Sequence, residues 1–345
     1  MISLHIPSHN SGSKSINMKK QLLLAITGMI LWTSGSAQSR QIIVHDPVAI
    51  ESGGKYYMYS TGVGIASWWS DDRVHWHFLD KVFGEIPEWC KKEVPKFNGN
   101  IWAPDISFHN GQYYLYYSIS SFASNRSAIG VATSKTLDPK DPEYKWMDHG
   151  IVVESVPGRD HWNAIDPNLI IDEDGTAWLS FGSFWGGIKL VKLNDDLLSV
   201  AVPQQWETIA TRERSFGLDA TDPGDGAIEA PFIIRKDGYY YLFVSFDLCC
   251  RGERSTYNVR VGRSEKITGP YIDKEGIPME KGGGSLVVKG DENYYGIGHN
   301  SVYLFGEEYI MYSHGYDTSD KGRPKLIVHR LGWDGEGWPM VESIE

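Results

Sequence analysis

The feature that most constrains this chain is a phrase that recurs five times, a glycine followed at once by a run rich in aromatic residues. It reads GKYYMYS from Gly54, GQYYLYYS from Gly111, GTAWLSFG from Gly175, GYYYLFVS from Gly238 and GEEYIMYS from Gly306. Successive glycines lie 57, 64, 63 and 68 residues apart. Each run follows a short apolar stretch and a turn, as in IDPNLIIDEDG before Thr176. Two strands joined at a glycine form a hairpin, and the rest of each period has room for two more strands. Four strands in each of five units, with no helical periodicity between them, predict an all-β chain folded as a five-bladed β-propeller. A sandwich or jelly roll gives no reason for five even spacings. A single helical turn is expected near Ile86–Cys90, and no Pro/Ser-rich linker divides the chain. Residues 38–345 therefore read as one propeller domain.

Composition fits this picture and limits the partners. The 13 Trp, 19 Tyr, 12 Phe and 37 Gly suit short strands and tight turns. With 44 acidic against 33 basic residues, the formal charge is −11, the wrong sign for binding nucleic acid or a polyanionic glycan. Residues 1–37 read as an N-terminal extension and a cleaved secretory signal peptide. Met18-Lys19-Lys20 opens it, an apolar run continues to Trp32, and Gly35-Ser36-Ala37 precedes the predicted cut. The apolar run is too short for a membrane span, and no Cys follows the cut to anchor a lipid. A secreted or periplasmic monomer, not inserted in a membrane, is expected.

The cysteines Cys90, Cys249 and Cys250 are too few for a disulfide scaffold. The adjacent pair is either a vicinal disulfide or two thiols, and no zinc-ligand spacing accompanies it.

Counting back seven to nine residues from each repeated glycine reaches Asp46, Trp102, Asp166, Glu229 and His299, at the starts of the first strands. Innermost strands of a propeller line its central channel, so three carboxylates, a Trp and a His are expected to meet at one mouth. Asp46 and Asp166 each precede a proline, which singly is ordinary turn chemistry. Three acids at one repeat position point instead to catalysis. Paired carboxylates beside aromatic rings are the equipment of glycoside hydrolysis. Glu229, between apolar neighbours, is the candidate general acid; Asp46, next to His45, is the candidate base; Asp166 would tune and orient the acid. Trp102, Phe122 and Trp162 offer flat faces for a sugar ring. DEDG at Asp172–Gly175 reads as a hairpin turn rather than a calcium loop.

Taken together, VHDP, NIWAPDI, WNAIDPNLI with FGSFWGGI, and GAIEAPF followed by FDLCCRG resemble glycoside hydrolase family 43, and within it the α-L-arabinanases that hydrolyse α-1,5-linked arabinan. The likeness spans roughly His45 to Trp333. It implies a five-bladed propeller and an inverting mechanism of endo-1,5-α-L-arabinanase type, with Asp46 as base, Asp166 as pKa modulator and Glu229 as acid. It further implies that His299 ligates one calcium-type cation, largely through water, near the catalytic centre. His45, Trp102, Phe122, Asn163 and Ser183 are implied to line sugar subsites, with arabinan and arabino-oligosaccharides as partners. The alternatives are a β-xylosidase or α-L-arabinofuranosidase on the same fold, or a non-catalytic glycan-binding propeller. The last would need the aromatic faces but not three acids. A zinc peptidase is excluded by the absence of an HExxH spacing.

Overall fold

A computed structural model describes residues 42–342 of the chain. Five antiparallel sheets follow one another in sequence. Blade 1 is built from Val48–Ser52, Lys55–Ser60, Ala66–Ser70 and His77–Lys81. Blade 2 comprises Asn100–His109, Gln112–Ile119, Ser127–Ser134 and Met147–Ser155, and blade 3 Asn168–Ile171, Ala177–Phe181, Ile188–Lys192 and Trp206–Ala210. Blade 4 holds Ile228–Lys236, Tyr239–Phe246, Asn258–Ser264 and Ser285–Lys289, and blade 5 Tyr294–Phe305, Glu308–Asp317, Arg323–Trp333 and Pro339–Val341. The chain is the expected five-bladed β-propeller. The short strand Gly62–Val63 leaves blade 1 to pair with the inner strand of blade 2. The expected helical turn appears slightly later than predicted, as a helix over Glu88–Glu93 with Cys90 buried beneath it.

Each repeated glycine closes the hairpin between a blade's first two strands. In blades 2 and 4 the two-residue connections are Asn110-Gly111 and Asp237-Gly238, all with positive φ. That is the geometry whose twist matches the flanking strands.

The aromatic runs form the second strand of each blade, and their alternation explains their composition. Tyr113, Leu115 and Tyr117 pack toward blade 1, while Tyr114 and Tyr116 pack toward blade 3. Tyr240, Leu242 and Val244 face blade 3, and Tyr241 and Phe243 face blade 5. Both faces of such a strand are buried, so it reads as a continuous apolar run. Each large side chain so buried contributes about 1.5–3 kcal/mol. Five interblade cores result, one of them between blades 5 and 1, where Met58 and Ala49 meet Ile310, Tyr312 and Leu326. Leu326 N–H donates to the Ile42 carbonyl at 3.0 Å, and Ser301 Oγ to that of Pro47 at 2.8 Å, closing the ring.

Candidate active site

At the head of every first strand one residue takes the left-handed conformation. These are Asp46 (φ 55), Ala103 (43), Asp166 (59), Ala230 (55) and His299 (50). Proline follows four of them and Asn300 the fifth. In blades 2, 4 and 5 the ladder register shifts at this point, a β-bulge, the device that re-aims side chains beside functional sites. The structure thereby corrects the repeat alignment. Asp46, Asp166 and His299 are equivalent, but Trp102 and Glu229 each stand one residue earlier, matching His45.

The backbone N–H of each left-handed residue is bound by a side chain of the preceding blade. Ala103 N–H donates to Thr61 Oγ1 (2.8 Å), Asp166 to Ser118 Oγ (2.9 Å), His299 to Ser245 Oγ (2.8 Å) and Asp46 to His314 Nδ1 (3.1 Å). Blade 3 has Gly182 at the matching place, and it cannot serve. The Asp166 carboxylate substitutes, its Oδ2 accepting from Ala230 N–H at 3.2 Å.

Asp46 is buried and clamped. Oδ1 lies 2.8 Å from His45 Nδ1 and 3.0 Å from His299 Nδ1, and Oδ2 accepts from Thr61 Oγ1 at 2.5 Å. Burial alone would favour its neutral form, but the imidazoles of His299 and His45 outweigh it and hold the carboxyl well below its usual range. His299 is in turn pushed up to about 9, against burial, by Asp46 and Asp166. His314 is held neutral, by burial and then by the His45 charge. Its Nδ1 accepts from Asp46 N–H, and its Nε2 lies 3.1 Å from the Tyr316 hydroxyl.

Glu229 and Asp166 behave oppositely. Glu229 is pushed up by burial, although hydroxyls oppose the shift: Tyr257 donates to Oε1 and Ser183 to Oε2, each at 2.7 Å. The apolar setting inferred from its sequence neighbours is thus incomplete, because the carboxylate itself meets two donors. Asp166 is raised further, by burial first and by the charges of Glu229 and Asp46, against the opposing pull of His299. One ring therefore holds an acid kept ionised and a carboxyl pair that retains a proton, the division of labour that acid–base catalysis requires.

The remaining expected residues scatter. Ser183 is in the site through Glu229. His45 is committed to Asp46 and, through Nε2, to Tyr316 at 3.0 Å. Trp102 is half-buried beside Ser118 of its own blade, and Phe122 is 78% exposed on the loop after Ile119. Asn163 is buried with its Oδ1 accepting from Ser127 Oγ at 2.7 Å. Trp162 packs against Trp206, ring centroids 5.3 Å apart, at the rim of a 650 Å³ cavity between blades 2 and 3. Thr61, Tyr257, His314 and Tyr316 were not foreseen.

For a cation, His299 has Nδ1 committed to Asp46, and Nε2 has no hydrogen-bond partner among the described residues. Next to it, Asn300 is buried with neither amide atom partnered. With His299 pushed up to about 9, Nε2 would have to lose its proton before it could ligate an ion. His45, Asp46 and His314 also converge within 4.8 Å, but their hydrogen bonds to one another already satisfy them.

Comparison with known proteins agrees with the fold. A relative from Cellvibrio japonicus, named an extracellular exo-α-(1→5)-L-arabinofuranosidase, is 52% identical over 317 residues, 92% of this chain and 91% of its own length. A Bacillus subtilis protein named extracellular endo-α-(1→5)-L-arabinanase 1 is 40% identical, covering 86% of this chain and 87% of its own. The solved structure of a Cellvibrio cellulosa α-L-arabinanase complexed with arabinohexaose superposes with a TM-score of 0.86 at 53% identity, over 88% of this chain and 96% of that one. The model of Glycosyl hydrolases family 43 matches residues 41–339, and the chain belongs to that family.

Proposed function

We propose that this protein hydrolyses α-1,5-linked L-arabinan with inversion at the anomeric carbon. Glu229 is the general acid, Asp46 the general base, and Asp166 the group that tunes and orients Glu229. The observation that carries the reading is the opposite treatment of two carboxyls in one ring, Asp46 held ionised and Glu229 pushed toward its protonated form. Asp46 takes a proton from water as the water oxygen bonds to the anomeric carbon. Glu229 gives its proton to the departing glycosidic oxygen. Tyr257 and Ser183 fix both Glu229 oxygens, so its orientation does not depend on substrate. Asp166 and Glu229 repel one another when both are ionised, so the pair retains one proton. Arabinan is uncharged, so the acidic character of the chain does not repel it.

A calcium-type cation would be held at His299 Nε2 once that nitrogen has lost its proton, with water filling most of its shell. Its charge would favour the ionised form of Asp46. Secretion is supported by the two relatives named extracellular; the predicted signal peptide lies outside the described residues. Among those residues no helix is long and apolar enough to cross a membrane.

The mode of attack has two readings. The sequence motifs suggested the endo type, while the relative of higher identity is named an exo enzyme, which favours exo action. The 211–227 connection is tied down beside the site, its Ala220 and Pro223 carbonyls accepting from Trp185 Nε1 and N near Ser183. Product analysis over time on debranched linear arabinan, beside xylan and an aryl xyloside, tests both levels. One dominant short product from the start indicates exo action, and a spread of oligosaccharides indicates endo. Release from the xyloside alone would replace arabinan as the substrate, and no turnover of any would leave a binding module.

A further inference from the structure

The adjacent cysteines of blade 4 take no part in hydrolysis as described above, yet one of them touches its machinery. The described structure has both as free thiols, Cys250 exposed and Cys249 half-buried. Cys250 holds a left-handed backbone (φ 63), uncommon for a residue with a Cβ. Its N–H donates to the Tyr316 hydroxyl at 2.7 Å, and its Sγ lies 3.8 Å from His45 Nε2. The same His45 ring holds Asp46 Oδ1 through Nδ1 at 2.8 Å. A chain of direct contacts therefore runs from Cys250 through His45 to the candidate base.

Cys250 has the attributes of a reactive thiol. The Cys249 thiol hydrogen-bonds to it and, against burial, His45 adds a second hydrogen bond and a positive charge. Together they push it down to about 5. Accessibility, thiolate character and a neighbouring thiol together mark redox-responsive cysteines. Cys90 is the internal contrast, buried and pushed up to about 12 by that burial.

We propose that Cys249 and Cys250 form an oxidisable dithiol, which hydrogen peroxide closes into a vicinal disulfide that withdraws Cys250 from His45 and reversibly lowers hydrolysis. The Cys250 thiolate attacks the peroxide oxygen, the O–O bond breaks, and a sulfenic acid and hydroxide form. Cys249 sulfur then attacks Cys250 sulfur, the S–O bond breaks, and water leaves with the Cys249 proton. Two thiols and one peroxide give one disulfide and two waters. A disulfide needs its sulfurs about 2 Å apart, so Cys250 Sγ must move toward Cys249 and off the imidazole. The effect on rate rests on Asp46 being the base; the thiol chemistry does not.

The test begins with the protein reduced by dithiothreitol, freed of reductant and treated briefly with hydrogen peroxide. The peptide carrying both cysteines is weighed, and hydrolysis of linear arabinan is measured. We expect the peptide to lose two hydrogens, activity to fall about tenfold or more, and dithiothreitol to restore both. In Cys249→Ser the oxidation should stop at a Cys250 sulfenic acid trapped by a cyclic 1,3-dione. In Cys250→Ser, activity at whatever level that protein starts should be indifferent to peroxide. A peptide that keeps both thiols overturns the proposal, as does a disulfide that forms with activity unchanged. A protein without arabinan activity would fail the hydrolase reading, while the peptide mass would still decide the thiol chemistry.

Discussion

Asp166 Oδ2 accepts the backbone N–H of Ala230, the residue that follows Glu229, at 3.2 Å. In four of the five blade junctions a side chain on the second strand or its end makes this bond, and only here does a first-strand carboxylate do so. Asp166 is therefore bound to the very turn that aims Glu229. The residue that would tune the acid also positions it, and Gly182 opens the place that lets it.

Replacing Glu229 with Gln should lower kcat on arabinan by about 10²–10⁴ while leaving the fold intact. An aryl arabinoside with a good leaving group needs less protonation and should lose much less. Steady-state kinetics on both substrates check this, and equal losses would remove Glu229 from the acid role.

Tyr257 donates to Glu229 Oε1 and favours its ionised form. Tyr257→Phe removes that donor, so the Glu229 pKa rises and the alkaline limb of the kcat/KM profile should move to higher pH. A hydrogen bond to a charged group is worth about 1.5–3 kcal/mol, hence a shift of about one to two pH units. A shift to lower pH would contradict the assignment.

Thr61 Oγ1 serves two groups, donating to Asp46 Oδ2 and accepting from the buried Ala103 N–H. Thr61→Val leaves that N–H unpaired, and a loss of about 1–3 kcal/mol is expected in denaturant unfolding. The acid limb of the rate profile should also rise, because the Asp46 carboxylate has lost a donor.

Gly182 stands at φ 135, and a Cβ there would meet the Gly187 carbonyl oxygen at 2.6 Å. Gly182→Ser would supply blade 3 with the hydroxyl its counterparts use, but strain and clash should destabilise it by about 2 kcal/mol or more. Thermal unfolding measures the outcome.

Asp105 is buried outside the site, accepting from Leu169 N–H (2.8 Å) and Asn168 Nδ2 (3.2 Å). Burial pushes it up to about 7, despite those two donors. A folded-state pKa above the unfolded one means the native state binds more protons. Its contribution is full below the ordinary carboxyl range and fades as pH rises through about 7. Stability should therefore fall between about pH 4 and 7 by up to about 1.4 kcal/mol per pH unit and level off above that range, and Asp105→Asn should flatten that slope.

Much of this was legible in the sequence because a propeller is a sum of local units. The glycine-closed hairpins gave the blade count, and both-face burial explains why the aromatic runs carry no polar alternation. The three acids were found by counting from the glycines. That count drifted by one in blades 2 and 4, because the left-handed residue stands eight residues before the glycine there but nine before it in blade 3 and seven in blade 5, so spacing alone does not fix it. The residues at the binding position carry a spacing signal that the count did not use: Thr61, Ser118, Gly182 and Ser245 each lie seven residues after their glycine, and His314 lies eight after Gly306. The donors to Glu229 were not. Tyr257 and Ser183 lie 28 and 46 residues away in sequence, one at the third strand of the same blade and the other in the neighbouring blade, and only the folded sheets bring them to it.

The most direct test of the account is the anomeric configuration of the first product released from linear α-1,5-arabinan, read by proton NMR before mutarotation. Attack by an Asp46-activated water opposite the bond that Glu229 protonates predicts the β-anomer. The α-anomer would mean retention, and would contradict the roles given to both residues.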